Sequence, residues 1–373
     1  MCGSLQETID VYGLAGEGTF GSVFLGRERN GGVANPEDLR HYAIKVEKHL
    51  TLLDALQQSF WNPPMAQVPN PHTHYQTFIP SEALVLLFLT DSDRFPTLDS
   101  VYTHDRFQAI VMSPCTDYDP DQAPQGGRDY QRQFPAFNGH YLLTETRRPL
   151  LDSRGACKVS AQFVEAVTHM ADMNLWHGDI SVNNFIVDKV LNVQVLDLAE
   201  VTFGLHEKEF FNRQYMFVPF QEYQMSPELA SHMSTFTGDH CSGIDMGHDL
   251  RRETLWKLGV IVYGIVHGFW PWDFPLAPGS HPDLLSPSAY SSPRRIHSRR
   301  DRILNEPLRI NENLPQDCRD VLQAMLSQNT EDRPTLAELE AYPWFSQWVH
   351  ETQFWERPLS QAFRDSYTTQ IYT

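Results

Sequence analysis

The sequence predicts an α+β protein of two domains, a small β-rich one followed by a larger helical one. Three observations predict it. The chain has 373 residues, and domains commonly run to about 100–200 residues, so two are expected. The first third holds short strand-like runs at 21–26 and 41–46, with one helical run after Pro80. Beyond residue 149 apolar residues recur at intervals of three and four. Val159, Phe163, Val167 and Met170 carry that spacing, which predicts an amphipathic helix ending near Asn174.

Composition narrows the class. At 41 % hydrophobic, 12 % aromatic and 20 % charged the chain has ample material for a core, which excludes a disordered or collagen-like polymer. Its 29 Lys and Arg stand against 47 Asp and Glu, a net charge of −18 spread along the chain rather than gathered in a tail. Such an excess opposes attraction to nucleic acid and to anionic membranes, and it favours solubility and cationic partners. The five cysteines, Cys2, Cys115, Cys157, Cys241 and Cys318, are odd in number and lack C-x-x-C spacing. A reducing compartment is therefore expected, the cytoplasm, with the nucleus open, and no disulfide framework. The apolar run at 83–89 is short and that at 258–270 is interrupted by His267, so neither reaches the roughly 20 residues of a membrane span. The start MCGSLQETID lacks a basic segment followed by an apolar one, so no secretory signal is expected.

The first motif is Gly16-Glu17-Gly18-Thr19-Phe20-Gly21-Ser22-Val23. Glycines let backbone N–H groups approach phosphate oxygens where a side chain would clash. A glycine-rich hairpin without a ligand would look the same. In a dinucleotide-binding fold this pattern opens a helix, whereas here Val23-Phe24-Leu25 continues as strand. Tyr42-Ala43-Ile44-Lys45-Val46 supplies a second strand with a lysine inside it, and a buried ammonium needs an anionic partner.

Together these segments resemble the glycine loop and the A-I-K strand of the eukaryotic protein kinases. The resemblance implies a bilobal protein-kinase-like fold that uses ATP and Mg²⁺. It places Gly16, Gly18, Gly21, Val23 and Ala43 among the nucleotide-binding residues, and Lys45 on the α- and β-phosphates, held by a glutamate of the next helix. Between Lys48 and Thr90 the only acids are Asp54 and Glu82. Glu82 opens the helical run at 81–87 and is the candidate, although the helix dipole alone would favour a glutamate there. The strand 107–112 then leads to Ser113-Pro114-Cys115, which resembles the hinge. By that resemblance Met112 is the gatekeeper, and the Ser113 carbonyl and Cys115 N–H read the adenine edge. Asp117, Asp119 and Asp121 follow where family members place acids near the ribose and near basic residues of a peptide substrate. Asp119 is accordingly assigned to the cofactor, and a protein substrate with basic flanking residues is implied.

The strongest signal is His177-Gly178-Asp179-Ile180-Ser181-Val182-Asn183-Asn184, followed by Val195-Leu196-Asp197-Leu198-Ala199. The two segments resemble the H-R-D-x-x-x-x-N loop and the D-F-G site. Asp179 is then the base for the attacking hydroxyl, and Asn184 and Asp197 are the metal ligands. The chemistry needs a carboxylate to accept a proton and hard oxygen donors for Mg²⁺. Loop Asp and Asn residues also form plain turns, but two short apolar strands separating acid, amide and second acid argue against coincidence. Three departures carry consequences. Gly178 replaces the arginine that pairs with an activation-loop phosphate, so activation independent of loop phosphorylation is expected. Ser181 stands where serine/threonine kinases have a lysine on the γ-phosphate. Asp197-Leu198-Ala199 lacks the Phe and Gly. The H-G-D-I and D-L-A combination is locally similar to mitotic-checkpoint kinases of the Bub type.

Downstream, Ser226-Pro227-Glu228 resembles the A-P-E motif and residues 255–260 the central helix of the large lobe. Asp332-Arg333-Pro334-Thr335 resembles the segment whose arginine pairs with that glutamate. Thr254 stands where the family has an aspartate bracing the catalytic loop. The expected organisation is an N-lobe at 1–114, a C-lobe at 115–345 with irregular inserts near 117–149 and 275–302, and an aromatic tail at 346–373 packed on the C-lobe. In the second insert Arg294, Arg295, Arg299, Arg300 and Arg302 form a basic island, read as a solvated loop or a docking insert. His72 and His74, and His240, Cys241 and His248, have no metal-ligand spacing. The resulting expectation is an ATP-dependent protein kinase acting on serine or threonine hydroxyls, tyrosine being the less common case, with no nucleic-acid or membrane partner. Two alternatives stand beside it: a catalytically impaired pseudokinase scaffold, and a small-molecule phosphotransferase, since aminoglycoside and choline kinases also carry H-G-D-x-x-x-x-N. The oligomeric state is not legible.

Overall fold

The computed structural model describes residues 5–17, 21–29, 39–48, 68–69, 78–103, 107–114, 137–143, 148–188, 190–203, 222–235, 250–273 and 293–349. The chain divides into two compact units, Met1–Gly139 with Asn183–Thr202 and His140–Val182 with Phe203–Thr373.

The first unit is built on a five-stranded antiparallel sheet. Its strands are β1 (Ile9–Glu17), β2 (Gly21–Glu28), β3 (His41–Lys48), β4 (Leu98–Thr103) and β5 (Phe107–Met112), in the spatial order β1-β2-β3-β5-β4. Side chains alternate across a strand, and the sequence obeys that period. Ile9, Tyr42, Ile44, Ala109 and Val111 form an apolar core on one face, with Phe24 and Val46 packed against it. The other face carries three cross-strand rows: Leu25, Ala43 and Met112; Val23, Lys45 and Ile110; Gly21, Glu47 and Gln108. A Cβ at Gly21 would come within 2.3 Å of the Val46 carbonyl oxygen, so β2 can approach β3 this closely only with glycine there.

Helix α1 (Ser81–Phe88) begins after Pro80, whose φ of −54° suits a helix entry. It buries Ser81, Glu82, Ala83, Val85 and Leu86. A short sheet also belongs to the unit: β6 (Phe137–Asn138) pairs with β7 (Phe185–Val187), and β7 with β8 (Val193–Val195). The Val195 N–H donates to the Arg94 carbonyl at 2.8 Å. These bonds explain why 183–202 belongs to this unit, a long-range grouping that a division at residue 114 does not contain.

The second unit is helical. Helix α2 (Ser153–Asp172) starts at Asp152, whose carboxylate accepts from the Gly155 N–H at 2.8 Å. It is followed by α3 (Pro227–Thr235), α4 (Leu250–His267), α5 (Pro293–Asn305), α6 (Gln316–Met325), α7 (Leu336–Glu340) and α8 (Pro343–Val349). Helix α4 is the core element, with Leu255, Trp256, Leu258, Val260, Ile261, Val262, Ile265 and Val266 all buried. Gly259 lets α6 come close, since a Cβ there would lie 2.9 Å from Met325 Cβ. Thr335 and Glu338 form a capping box on α7. Cys157 and Cys318 are free and buried.

Two expectations need correction. The stretch 275–302 is not irregular throughout, because 293–305 forms helix α5. Arg299, one residue of the basic island, is buried: it donates to the Pro271 carbonyl at 2.9 Å and lies 3.7 Å from Asp273. A helix repeats every 3.6 residues, so Arg299 and Arg302 share a face, and proline-rich composition upstream masks that pattern. Within 117–149, likewise, residues 137–142 are regular, as β6 and a short 3₁₀ turn. Among the described residues no helix is long and apolar enough to cross a membrane.

Candidate active site

In the first unit the site forms around Lys45. Register places its side chain on the face of β3 opposite the apolar core, where it is 9 % exposed. Its Nζ donates to Glu82 Oε2 at 2.5 Å and to Asp197 Oδ1 at 2.7 Å. Glu82 is fixed by the first turn of α1, and its second oxygen accepts from the Leu198 N–H at 3.3 Å. One carboxylate thus ties the lysine strand to the backbone directly after Asp197. Burial would lower the Lys45 pKa, but Glu82 and Asp197 outweigh it and hold the ammonium above its ordinary value. Burial, with the Asp197 charge adding to it, raises the Glu82 pKa against the opposing pull of Lys45.

Asp197 has φ 56° and ψ 65°, the left-handed region that an Asp tolerates better than most residues. Its side chain is 44 % exposed, against 5 % for Glu82, so it is the member of the network open to a ligand. Asn184 sits across the β7–β8 hairpin from it, where the Leu196 N–H donates to the Asn184 carbonyl at 2.7 Å. An amide oxygen and a carboxylate are hard donors suited to Mg²⁺. Among the described residues no group of three or more His, Cys, Asp and Glu side chains could hold a metal, and Mg²⁺ characteristically takes few protein ligands and keeps waters and phosphate oxygens. Glu47 supplies a third carboxylate, 3.7 Å from Lys45 Nζ and hydrogen-bonded to Gln108 Nε2 at 2.8 Å. Three carboxylates against one ammonium leave a negative surplus that a divalent cation would offset, so the residues present fit the ion.

The remaining nucleotide candidates take these places. Val23, Ala43 and Met112 lie on the Lys45 face of the sheet, in rows with Lys45 or next to it. A Cβ at Gly16 would meet nothing within 4 Å, leaving room beside the backbone. Ser113 is tied to Thr97: its N–H donates to the Thr97 carbonyl and its hydroxyl accepts from the Thr97 N–H, each at 2.8 Å. Gly18, Cys115 and Asp119 lie outside the described residues, as do Asp117 and Asp121.

The second unit carries Asp179. Its N–H donates to the His177 carbonyl at 2.7 Å, around a Gly178 with φ +72°. Lys257 Nζ donates to the Gly178 carbonyl at 3.1 Å, and Gln224 Nε2 donates to that of Ile180. Tyr223 stacks on Trp270 with ring centroids 3.9 Å apart, and burial, with Asp179 adding to it, raises its hydroxyl pKa. Ser181 is fully buried, so its position presents no cation. Glu228 pairs with the buried Arg333 at 2.8 Å, and Arg333 lies 4.7 Å from the Trp256 ring centre.

Sequence reasoning missed Glu47, Gln224 and Lys257. Lys257 carried the signal already used for Lys45, a lysine inside an apolar run, here Leu255-Trp256-Lys257-Leu258. Glu47 was legible from strand period, two residues beyond Lys45 and therefore on its face. Gln224 had no local signal.

Residues 136–345, more than half of the chain, match the family described as Protein kinase domain. The chain is 24 % identical over 218 residues to serine/threonine-protein kinase KIN4 of Saccharomyces cerevisiae, covering 57 % of this chain and 23 % of that protein. It is 21 % identical over 203 residues to serine/threonine-protein kinase PLK4 of Drosophila virilis, covering 54 % and 21 %. To the sperm motility kinase Tcr mutant form of Mus musculus it is 22 % identical over 264 residues, covering 70 % and 42 %. The chain thus spans less than half the length of these curated relatives. The family match begins after Lys45 and Glu82, whose association stands on the geometry alone.

Proposed function

Since the chain belongs to the eukaryotic protein kinase superfamily, we propose that it transfers the γ-phosphate of ATP to a serine or threonine hydroxyl of a protein. The observation that carries the reading is Lys45 held between Glu82 and Asp197. An ammonium this buried is costly unless matched, and the pairing presents it at a fixed point for phosphate oxygens. Asn184 and Asp197 would hold Mg²⁺, which when bound neutralises phosphate charge. Asp179 accepts the proton of the substrate hydroxyl as that oxygen bonds to the γ-phosphorus and ADP departs. Gly178 offers no side chain to an activation-loop phosphate, so activity does not require one. The acids at 117, 119 and 121, with the net charge of −18, favour substrates with basic flanking residues.

One observation favours a second reading, a nucleotide-binding scaffold without turnover: the buried Ser181 leaves no cation at its position. Mg·ATP turnover on a generic protein substrate, wild type beside Asp179→Asn, separates them. A drop of about 100-fold or more is expected, with the wild-type rate unchanged by phosphatase treatment. Equal background rates in both would overturn the enzyme reading. An ATP-induced rise in melting temperature without turnover would establish the scaffold.

A further inference from the structure

Buried nitrogen donors hold the backbone on both sides of Asp179. The bond from the Asp179 N–H to the His177 carbonyl, 2.7 Å, closes a three-residue turn around Gly178. At φ +72° Gly178 occupies a region that other residues enter only with strain. That turn uses the His177 oxygen and the Asp179 N–H, so the Gly178 carbonyl between them must find its donor elsewhere. Lys257 provides it at 3.1 Å. On the far side of Asp179, Gln224 donates to the Ile180 carbonyl. Both donors are nearly inaccessible, Lys257 at 6 % and Gln224 at 3 % exposure.

Packing alone gives no reason for a lysine at 257. Its neighbours Leu255, Trp256 and Leu258 are buried, and leucine or methionine would fill the place without desolvating a charge. The ammonium is matched by Glu253 one turn earlier, at 2.9 Å. A charge-assisted donor backed by its own counter-ion holds a carbonyl more firmly than a neutral one does.

We propose that Lys257 is a positioning residue which, with Gln224, clamps the carbonyls flanking Asp179 and so sets the direction of the Asp179 carboxylate. Its catalytic consequence rests on the reading of Asp179 as the base, but the clamp itself does not. The test is Lys257→Met in the full chain, which keeps the length and removes the donor. Amide hydrogen exchange at 177–181 should quicken tenfold or more, with exchange in α6 unchanged. At saturating ATP kcat should fall about tenfold or more while the KM for ATP stays within about twofold. Lys257→Arg, which keeps a charged donor, should recover part of both. Should the Met variant fail to fold, Glu253→Gln, whose side chain is 22 % exposed, should move both measurements the same way by less. Unchanged exchange at 177–181 in the variant that folds would overturn the clamp, and faster exchange with unchanged kcat would overturn the positioning role. Faster exchange in a protein whose wild type shows no turnover would leave the clamp standing and remove the kinase reading instead.

Discussion

Around Lys45 the decisive quantity is how many charges share a dry place. Glu82, Asp197 and Glu47 face one ammonium, and the member most open to solvent, Asp197, is also the one with a left-handed backbone. The glycines near this group are separable by experiment. A Cβ at Gly21 would collide with the Val46 carbonyl, and one at Gly16 would touch nothing. Gly21→Ala should therefore lower stability in urea denaturation by about 1–3 kcal/mol, whereas Gly16→Ala should change it by no more than about 0.5 kcal/mol and reduce only the ATP-induced rise in melting temperature. A Gly16→Ala protein that melts early would show that this position matters to the fold itself. Lys45 was legible because a charge in an apolar strand demands a partner. The identity of that partner was legible only by elimination among acids, since Glu82 is 37 residues away.

Helix α4 shows how an element joins packing to chemistry. Its middle sends Lys257 to Gly178, and its last residue, His267, anchors the segment beyond α5. His267 is buried, stacks on Tyr263 at 3.8 Å, and accepts from the Asn311 N–H at Nε2 over 3.1 Å. Nδ1 lies 3.0 Å from the Tyr263 carbonyl, so the proton sits on Nδ1 and the ring is neutral. Burial lowers its pKa to about 4, against 6.5 for a free imidazole. Below pH 6.5 the unfolded chain takes a proton that the folded chain refuses until about pH 4. Stability is thus unaffected by this group above pH 6.5 and is lost as pH falls from 6.5 to 4, by about 3 kcal/mol in all. His267→Gln should flatten that stretch of the stability–pH curve measured in urea; a parallel curve would refute the neutral assignment. The basic island teaches the same lesson at the level of α5. Its charge was visible in sequence, but the burial of Arg299 against Pro271 and Asp273 was not, because proline-rich flanks obscured a helical period.

Across the molecule each unit is closed by pairs that cross long stretches of chain. In the second unit Arg333 meets Glu228, donates through Nε to Ser327 at 2.9 Å, and lies over Trp256, which stacks on Trp272. Arg333→Met should cost about 1–3 kcal/mol in urea denaturation by taking the counter-ion from Glu228, which keeps the Thr330 hydroxyl as a donor, and a loss below about 0.5 kcal/mol would mean that water replaces the guanidinium at no cost. By itself the sequence determined the α+β class, the order of strand-rich and helical regions, and the glycine, lysine, H-G-D and D-L-A segments. Those rest on local spacing, which backbone geometry reads directly. The crowding of three carboxylates around Lys45, the place of 183–202 in the first unit, the burial of Arg299 and the reach of Lys257 to the loop before Asp179 were set by folding and left no local trace. These depend on strand register and on contacts across as many as 152 residues. At such distances a buried charge is matched by whichever partner the folded chain brings within reach, and local spacing carries no record of that choice.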